Sequence, residues 1–364
     1  MFDQKLSNGM KIAIDISPLT SGHFLQHRVR GTGFYLQNLR ENLLKYYSND
    51  SYLFFKRGDK ISKEINVIHF PYFEPFFLTL PFNISSNSIV TVHDLTPFVF
   101  KDQFPSGTRG KIKWQIQKRS LKKAGAIITD SKSSKRDIER FTNIDPSKIY
   151  VVYLAAGESF KPQKDQEIER VKNKFNLPEK YFLYVGDVTW NKNLPNLLKA
   201  VREANVPLVI AGQAFVKTNY DKNNPWNKSL SKAQKLASDN KKVMALGFVS
   251  DEDLACLYSG AQGFVMPSFY EGFGLPVLEA MQSGCPVICS DAGSLAEVAG
   301  DAAYFVDPKS VDSIRQGIER IFSDQDLRSR LAKAGLVQSK KFSWEKTAKE
   351  THKVYEKIFE QTHR

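Results

Sequence analysis

The sequence predicts an α/β protein built from two doubly wound domains that face a central cleft. Three observations support this prediction. The chain has 364 residues, more than one hydrophobic core usually holds. Short apolar runs alternate with helix-like segments, as in parallel α/β folds. These runs form two series of about six each, and ligands of such sheets bind outside the carboxyl ends of the strands.

The first series of strands begins with "MKIAID" at residues 10–15. The following segment "GTGFYLQNL" predicts a helix that starts near Gly33. Further strands are predicted in "SYLFF", "NVIHF", "SIVTVHD", "GAIITDS" and "IYVVY". Residues 69–83 contain six aromatic residues and three prolines, which predicts an irregular loop that is packed or forms an acceptor or membrane contact.

The second series of strands begins with "YFLYVGD" at residues 181–187. It continues through "PLVIAG", "VMALGF", "GFVMPS", "PVICSD" and "AAYFVD". We therefore predict one domain over residues 1–165 and a second over residues 166–342, joined by a polar segment at 158–172. A last helix over residues 343–364 could pack back on the first domain.

The positive charge of the chain is concentrated in its first half. The formal net charge is +13, and residues 1–160 hold 23 Lys and Arg against 14 Asp and Glu. Residues 101–123 alone hold eight basic residues and one acidic residue. Such a segment is either a solvated helix face or a surface that attracts nucleic acid, anionic lipid or phosphorylated substrates.

The cysteines and the hydropathy pattern predict a cytoplasmic protein. Cys256, Cys285 and Cys289 form neither an even-numbered framework nor a metal-ligand pattern, so we interpret them as reduced core residues. No apolar run reaches the length of about 18 residues that a membrane-spanning helix requires. Peripheral contact with the inner face of the membrane remains a hypothesis, based on the basic segment 101–123.

The segment "SFYEGFGLPVLEAMQSG" at residues 268–284 predicts a binding site. Its glycines precede a helix, and the free amides at a helix N-terminus bind anions. Glu271 and Glu279 lie on either side of this loop, and ionised carboxylates accept strong hydrogen bonds from hydroxyl groups. The pattern indicates a ligand with hydroxyls at both ends and phosphate between them, as in a nucleotide diphosphate sugar.

The same segment resembles the signature of the retaining glycosyltransferases of family 4, in which seven residues separate two glutamates. The resemblance extends along nearly the whole chain, through segments such as "GTGFYLQNL", "TVHDLTP", "DSKSSKRDI", "YVGDVTWNKNLPNLLKA" and "LGFVSDEDLACLY". It implies two Rossmann-like domains of the GT-B type. Closest in appearance are the bacterial mannosyltransferases of the family.

The resemblance also implies roles for individual residues. The implied catalytic residues are His93, Lys192 and Glu271. The implied donor-binding residues are Gly33, Gly247, Phe248, Gly272, Phe273, Gly274, Leu275 and Glu279. Glu271 would hold hydroxyls of the transferred sugar, Glu279 the ribose, and Lys192 the diphosphate.

The remaining implied roles concern the first domain and the nucleotide base. His93 would lie near the reacting face of the sugar, and Gly33 would let the backbone approach the phosphate. Gly247 and Phe248 fall where the edge of the base is usually contacted. Asp94 is expected to orient loop backbone.

The chain departs from the family pattern near Lys192. Many relatives carry an arginine in this stretch, but Asp187 and Asn191 occupy the two candidate places. Either the site binds the diphosphate more weakly than in those relatives, or another cation such as Arg28 or Arg30 replaces the arginine.

The expected activity is transfer of a sugar, with retention, to a hydroxyl of a glycan or lipid-linked acceptor in polysaccharide synthesis. We expect no cofactor and no metal, with GDP-mannose as the favoured donor and UDP-sugars as the alternative. A non-catalytic scaffold that binds nucleotide sugars or glycans is a further alternative. A nicotinamide dehydrogenase is disfavoured because "GTGFYL" lacks the third glycine of G-x-G-x-x-G, and no nucleic-acid-binding motif is present.

Overall fold

The computed structural model of the chain describes residues 9–20 and 29–362, except for the side chains of residues 20, 29 and 30. The chain divides into two compact units. Unit 1 contains Met1–Val99, Ser106–Leu154 and Ser343–Arg364. Unit 2 contains Phe100–Pro105 and Ala155–Phe342.

Unit 1 is a six-stranded sheet with helices between its strands. Its strands are β1 (Lys11–Asp15), β2 (Ser51–Phe55), β3 (Val67–Phe70), β4 (Ser88–Thr91), β5 (Ala126–Thr129) and β6 (Ile149–Val151). Its helices are α1 (Ser17–Thr20), α2 (Val29–Tyr46), α3 (Thr96–Val99), α4 (Gly107–Lys123), α5 (Lys132–Thr142) and α14 (Trp344–Thr362). The strand order is β2-β1-β3-β4-β5-β6, and every pair is parallel.

The central strands of unit 1 are apolar because both of their faces are covered. All four residues of β4 and of β5 are buried. The irregular loop predicted over residues 69–83 begins after β3, and its Phe73 and Leu80 pack into the core of the unit. The side chain of Gln117 in α4 accepts hydrogen bonds from the backbone of residues 79 and 80, which fixes this loop on the helix.

Helix α14 belongs to unit 1 although it follows unit 2 in the sequence. It packs against α2. The hydroxyl of Tyr355 lies 2.7 Å from Nδ1 of the buried His69 in β3. Nε2 of His352 lies 2.7 Å from Oδ2 of Asp50. The last helix therefore contributes both apolar and polar contacts to the core of unit 1.

Unit 2 repeats the same architecture. Its strands are β7 (Phe182–Val185), β8 (Leu208–Ala211), β9 (Val243–Gly247), β10 (Gly263–Met266), β11 (Val287–Cys289) and β12 (Ala303–Phe305). Its helices are α6 (Asp165–Phe175), α7 (Leu194–Ala204), α8 (Lys228–Ser238), α9 (Asp251–Gly260), α10 (Leu275–Gln282), α11 (Leu295–Ala299), α12 (Val311–Ser323) and α13 (Gln325–Ser339).

The strand order of unit 2 is β12-β11-β10-β7-β8-β9, again with parallel pairs. The chain proceeds from β7 to β9 in one direction and returns to place β10 on the other side of β7. Because the order reverses between β7 and β10, the loops after these two strands diverge and leave a crevice at the carboxyl edge of the sheet.

The fold class predicted from the sequence is confirmed, with two parallel six-stranded sheets surrounded by helices. Each of the twelve predicted strands is present. The predicted start of α2 near Gly33 is wrong, since the helix begins at Val29 and Gly33 is its fifth residue. The predicted polar segment at 158–172 is partly helical, because α6 starts at Asp165.

Two proposed cations lie at the edge of what the structure describes. Arg28 falls outside the described residues, and Arg30 lies in α2 without a described side chain.

None of the helices within residues 9–20 and 29–362 combines the length and the apolar character needed to cross a bilayer.

Candidate active site

The crevice of unit 2 brings together two of the predicted catalytic residues. Lys192 ends a short 3-10 turn, Trp190–Lys192, in the loop after β7. Glu271 lies in the loop after β10. The ammonium nitrogen of Lys192 is 2.9 Å from Oε1 and 2.6 Å from Oε2 of Glu271. Lys192 and Glu271 thus form a bidentate ion pair at the topological switch point of the sheet.

The ion pair is well shielded from solvent. The side chain of Glu271 is 7% exposed and that of Lys192 is 19% exposed. Charges in such a place interact more strongly than at an open surface, and each depends on its partner to offset the loss of hydration. A ligand that binds here must therefore offer Lys192 an anion and Glu271 hydrogen-bond donors.

Asn191 connects the lysine turn to the glutamate loop. Its side-chain amide donates to the carbonyl of Tyr270 at 3.0 Å, and its backbone carbonyl accepts from the amide of Phe269 at 2.7 Å. The side chain also accepts a 2.8 Å hydrogen bond from Thr189. Asn191 is therefore a buried structural residue that holds Lys192 beside Glu271, whereas Asp187, the other place considered for an arginine, is exposed.

The next residue, Asn193, fixes the start of α7. It adopts the left-handed conformation with φ of 57°, which asparagine tolerates better than most residues. Its side-chain amide donates to the carbonyls of Pro267 at 2.8 Å and Pro308 at 2.6 Å. Through these bonds the residue after Lys192 is tied to the end of β10.

Ser294 holds the loop of Glu271 from its other side. Its hydroxyl lies within hydrogen-bond distance of the carbonyls of Glu271, at 3.0 Å, and Phe273, at 2.7 Å. The preceding Gly293 has a φ of +66°, and a Cβ atom there would lie 2.5 Å from the carbonyl oxygen of Glu271. Only glycine permits this close approach of the two backbones.

Helix α10 begins directly after this loop. Gly274 caps the helix with a φ of 103°, and Pro276 occupies the first turn, where its missing N–H costs no hydrogen bond. A side chain at Gly274 would collide with Leu295, since a Cβ atom would lie 2.6 Å from its Cδ2. The loop and the first turn of α10 carry the four predicted amide donors Gly272, Phe273, Gly274 and Leu275.

Glu279 lies about one turn into α10 and is half-buried. The hydroxyl of the buried Tyr258, in α9, donates to Oε2 of Glu279 at 3.1 Å. Gly247 ends β9 and Phe248 follows it, at the same carboxyl edge of the sheet. Gly247 has a φ of 70°, and Phe248 is 66% exposed.

Aromatic rings surround the lysine turn. Trp190 stacks on Phe269 with ring centroids 4.6 Å apart. Phe100, in the short segment of unit 2 that precedes α4, lies 5.0 Å from the ring of Trp190 and 5.8 Å from that of Tyr270. These contacts further limit the movement of the loops that carry Lys192 and Glu271.

The predicted residues His93 and Gly33 belong to unit 1. His93 follows β4, and its Nδ1 lies 2.7 Å from Oδ2 of Asp130, which follows the neighbouring strand β5. Asp94 accepts a hydrogen bond from the amide of Thr96 at 2.8 Å, so it orients the start of α3 as predicted. Gly33 is buried within α2.

Sequence reasoning missed Asn191, Ser294, Tyr258 and Asp130 as supporting residues. For Asp130 a usable signal was present, because "TVHD" and "ITDS" end strands that follow one another, and the carboxyl ends of neighbouring parallel strands share an edge. Among the described residues, no group of three or more His, Cys, Asp or Glu side chains is placed to hold a metal ion.

Comparison with known proteins gives matches to both halves of the chain. Residues 17–155 match the family model described as Glycosyltransferase Family 4. Residues 165–338 match the model described as Glycosyl transferases group 1. Together the two models extend over most of the chain.

Two relatives from Escherichia coli are similar in sequence. The O-antigen chain mannosyltransferase B is 34% identical over 275 residues, which cover 74% of this chain and 70% of that protein. The serotype-specific mannosyltransferase WbdA is 28% identical over 274 residues, which cover 73% of this chain. The match spans only 33% of the length of WbdA.

Two solved structures are similar in fold. Sucrose-phosphate synthase from Thermosynechococcus elongatus has a TM-score of 0.72 at 20% identity, covering 97% of this chain and 100% of that one. HepE from Anabaena, solved in complex with UDP and glucose, has a TM-score of 0.68 at 13% identity. That match covers 94% of this chain and 98% of HepE.

Proposed function

Because this chain belongs to the family 4 glycosyltransferases, we propose that it transfers mannose from GDP-mannose to a hydroxyl of a glycan or lipid-linked acceptor, with retention at the anomeric carbon. Glycosyl transfer itself follows from the family, and the chain is a hexosyltransferase of the GT-B fold. The preference for mannose is supported by the names of the relatives from Escherichia coli. A UDP-sugar is the alternative donor, supported by the HepE structure solved in complex with UDP and glucose.

The observation that carries this proposal is the ion pair of Lys192 and Glu271 beside the N-terminus of α10. A nucleotide diphosphate sugar presents each of these groups with a suitable partner. The diphosphate would take the ammonium of Lys192 and the amides of the loop, and the sugar hydroxyls would donate to Glu271. The half-buried Glu279 would accept from the ribose.

The reaction requires negative charge to be stabilised on the leaving diphosphate. The bond between the anomeric carbon and the phosphate oxygen breaks, and a bond from the same carbon to the acceptor oxygen forms on the same face. The leaving phosphate oxygen receives the proton of the acceptor hydroxyl. Lys192 and the amides of residues 272–275 would stabilise the charge that develops, an effect of about 3 to 4 kcal/mol for each well-placed donor.

We expect the purified protein to turn over GDP-mannose in the presence of excess chelator, because a lysine and backbone amides can replace a metal at the diphosphate. The assay measures release of nucleoside diphosphate across GDP- and UDP-sugars, with and without glycan acceptors. The anomeric configuration of the product is read by NMR. Turnover that chelator abolishes and manganese restores would contradict metal independence.

The same screen distinguishes the remaining alternatives. A preference for UDP-glucose over GDP-mannose would reassign the donor within the same fold. Tight binding without hydrolysis or transfer, for every donor and acceptor, would favour a nucleotide-sugar-binding scaffold and overturn the proposal.

We further propose that the acceptor is reached at an anionic membrane surface, through the exposed face of α4. That face contains one apolar and five basic side chains: Arg109, Lys111, Ile112, Arg119, Lys122 and Lys123. Phe82, 68% exposed, lies beside it, since the hydroxyl of Ser120 in α4 reaches the carbonyl of Phe82 at 3.3 Å. Each basic residue near anionic lipid contributes about 1 kcal/mol of attraction.

We expect the protein to sediment with vesicles containing phosphatidylglycerol but not with neutral phosphatidylcholine vesicles, and less so as salt is raised. The variant Arg109→Glu, Lys111→Glu, Arg119→Glu should lose this binding. A control with three exposed lysines of unit 2 reversed, Lys222→Glu, Lys232→Glu and Lys241→Glu, has the same net charge and should retain it. Equal loss in both variants would mean that net charge alone, and no α4 surface, is responsible.

A further inference from the structure

His93 and Asp130 form a buried pair at the carboxyl edge of the sheet in unit 1. Because β4 and β5 are neighbouring parallel strands, the residues that follow them lie side by side. Nδ1 of His93 is 2.7 Å from Oδ2 of Asp130. The Asp130 side chain is 4% exposed and that of His93 is 22% exposed. A short contact between largely buried groups fixes the orientation of the imidazole ring.

The hydrogen bond at Nδ1 decides what Nε2 can do. With Nδ1–H donated to Asp130, a neutral ring leaves Nε2 as an acceptor, whereas a protonated ring makes Nε2–H a donor. Nε2 of His93 is shielded from solvent, and the backbone carbonyl of Pro71 is placed to accept a hydrogen bond from the ring. The protonation of the ring therefore determines whether Nε2 donates or accepts a hydrogen bond.

The groups around His93 favour the protonated ring. Burial is the largest single influence and would lower the pKa of His93, whereas the carboxylate of Asp130 raises it, and the net direction of the pKa is upward. Asp94, the next residue, and the carbonyl of Pro71 act in the same direction.

The other titratable neighbours stay neutral near pH 7. Burial lowers the pKa of His69, in β3, to about 3, so its ring carries no charge. Tyr35, in α2, meets the ring of His93 edge-on at 5.0 Å, and burial raises the pKa of its hydroxyl. Neither side chain therefore adds a charge that competes with Asp130 for the ring.

We propose that Asp130 is a positioning residue that holds His93 through Nδ1 and keeps its ring protonated at the carboxyl edge of the sheet in unit 1, so that sugar transfer depends on the cationic form of His93. This inference rests on the proposed function, because it assigns a role to His93 in sugar transfer. Asp130 itself acts only through the histidine.

NMR titration of ring-labelled histidine tests the pair without any assay of activity. In the wild-type protein we expect His93 to titrate above the ordinary histidine value of about 6.5. In Asp130→Asn the midpoint should fall by about one unit or more, because an opposite charge at hydrogen-bond distance is removed. Asp145→Asn, an exposed aspartate of unit 1, is the matched control and should leave the midpoint unchanged.

Kinetics then test the role in transfer. The protonated form of the His93 ring is lost as pH rises through its pKa. If Asp130→Asn lowers this pKa, the fall of kcat at alkaline pH therefore moves to lower pH. A shift of one unit lowers kcat at alkaline pH about tenfold in Asp130→Asn. In a His93→Ala background the same replacement should have little further effect, since Asp130 acts through the ring.

Each outcome decides between the two proposals. A wild-type His93 that titrates at or below the ordinary value overturns the inference, even if Asp130→Asn fails to fold. An active Asp130→Asn variant with an unshifted pH profile, or equal losses with and without His93, also overturns it. A wild-type protein that turns over no nucleotide sugar overturns the proposed function, whatever the NMR titration gives.

Discussion

Replacing Glu271 with glutamine should lower the turnover of the donor about 100- to 1,000-fold. In the proposed reaction the carboxylate of Glu271 would accept hydrogen bonds from hydroxyls of the transferred sugar, whereas an amide is a weaker acceptor and presents N–H groups on one side. The change also removes the charge that faces the ammonium of Lys192 at 2.6 Å in the free protein. Initial rates of nucleoside diphosphate release, with GDP-mannose at saturation, measure the effect on kcat.

Two comparisons separate this effect from a loss of folding. Glu252→Gln changes an exposed glutamate of the same unit and should leave turnover unchanged. Glu279→Gln alters the predicted ribose contact on α10 and should raise KM for the donor more than it lowers kcat. The melting temperature of each variant is measured alongside. Full turnover in a folded Glu271→Gln protein would remove Glu271 from the site.

Replacing Lys192 with methionine should lower kcat/KM about 100- to 1,000-fold. The leaving diphosphate gains negative charge as its bond to the sugar breaks, and the ammonium of Lys192, which lies in the crevice, would stabilise that charge. Without it, Glu271 also remains 7% exposed and without its partner charge, so some loss of stability is expected. Methionine keeps the length of the side chain and removes only the charge and the hydrogen bonds.

Calorimetry with GDP and with guanosine distinguishes binding from folding in Lys192→Met. Binding of GDP should weaken, whereas binding of guanosine, which lacks the diphosphate, should change little. Lys180→Met, an exposed lysine just before β7, is the control and should behave as wild type. Equal affinity of Lys192→Met and wild type for GDP would place the diphosphate elsewhere.

The effects of the two replacements should not add. Because Lys192 and Glu271 contact each other before a donor binds, each single replacement also breaks their ion pair. The double variant should therefore lose less activity than the product of the single losses.

The sequence was sufficient to predict the sheets and the lysine and glutamate loops. Central parallel strands are apolar throughout, so runs such as "FLYV" and "GFVM" are visible without any structure. Loops after such strands meet at one edge of the sheet, which places Lys192 and Glu271 at the same edge. The direct ion pair depends on which two strands are neighbours, β7 and β10, and no local pattern encodes that order.

Local sequence patterns could not predict the residues that support the site. In the sequence, Asn191 was noticed only because it stands where many relatives have an arginine. Its structural role depends on its hydrogen bonds to the backbone of residues 269 and 270, which only the structure shows. Ser294 looks like an ordinary loop serine until its bonds to two carbonyls are seen. The start of α2 was placed at a glycine because glycine often precedes helices, although here Gly33 lies inside one.

The position of α14 has a consequence for the synthesis of the protein. Most of unit 1 is translated before unit 2, yet the residues that pack against α2 and meet His69 and Asp50 are translated after unit 2. Unit 2 is contained in one nearly continuous stretch and can fold while its neighbour still lacks a helix. Part of the apolar surface of nascent unit 1 therefore stays uncovered until unit 2 has been made. A premature stop codon before Trp344 would damage unit 1, although the stop lies after unit 2 in the sequence.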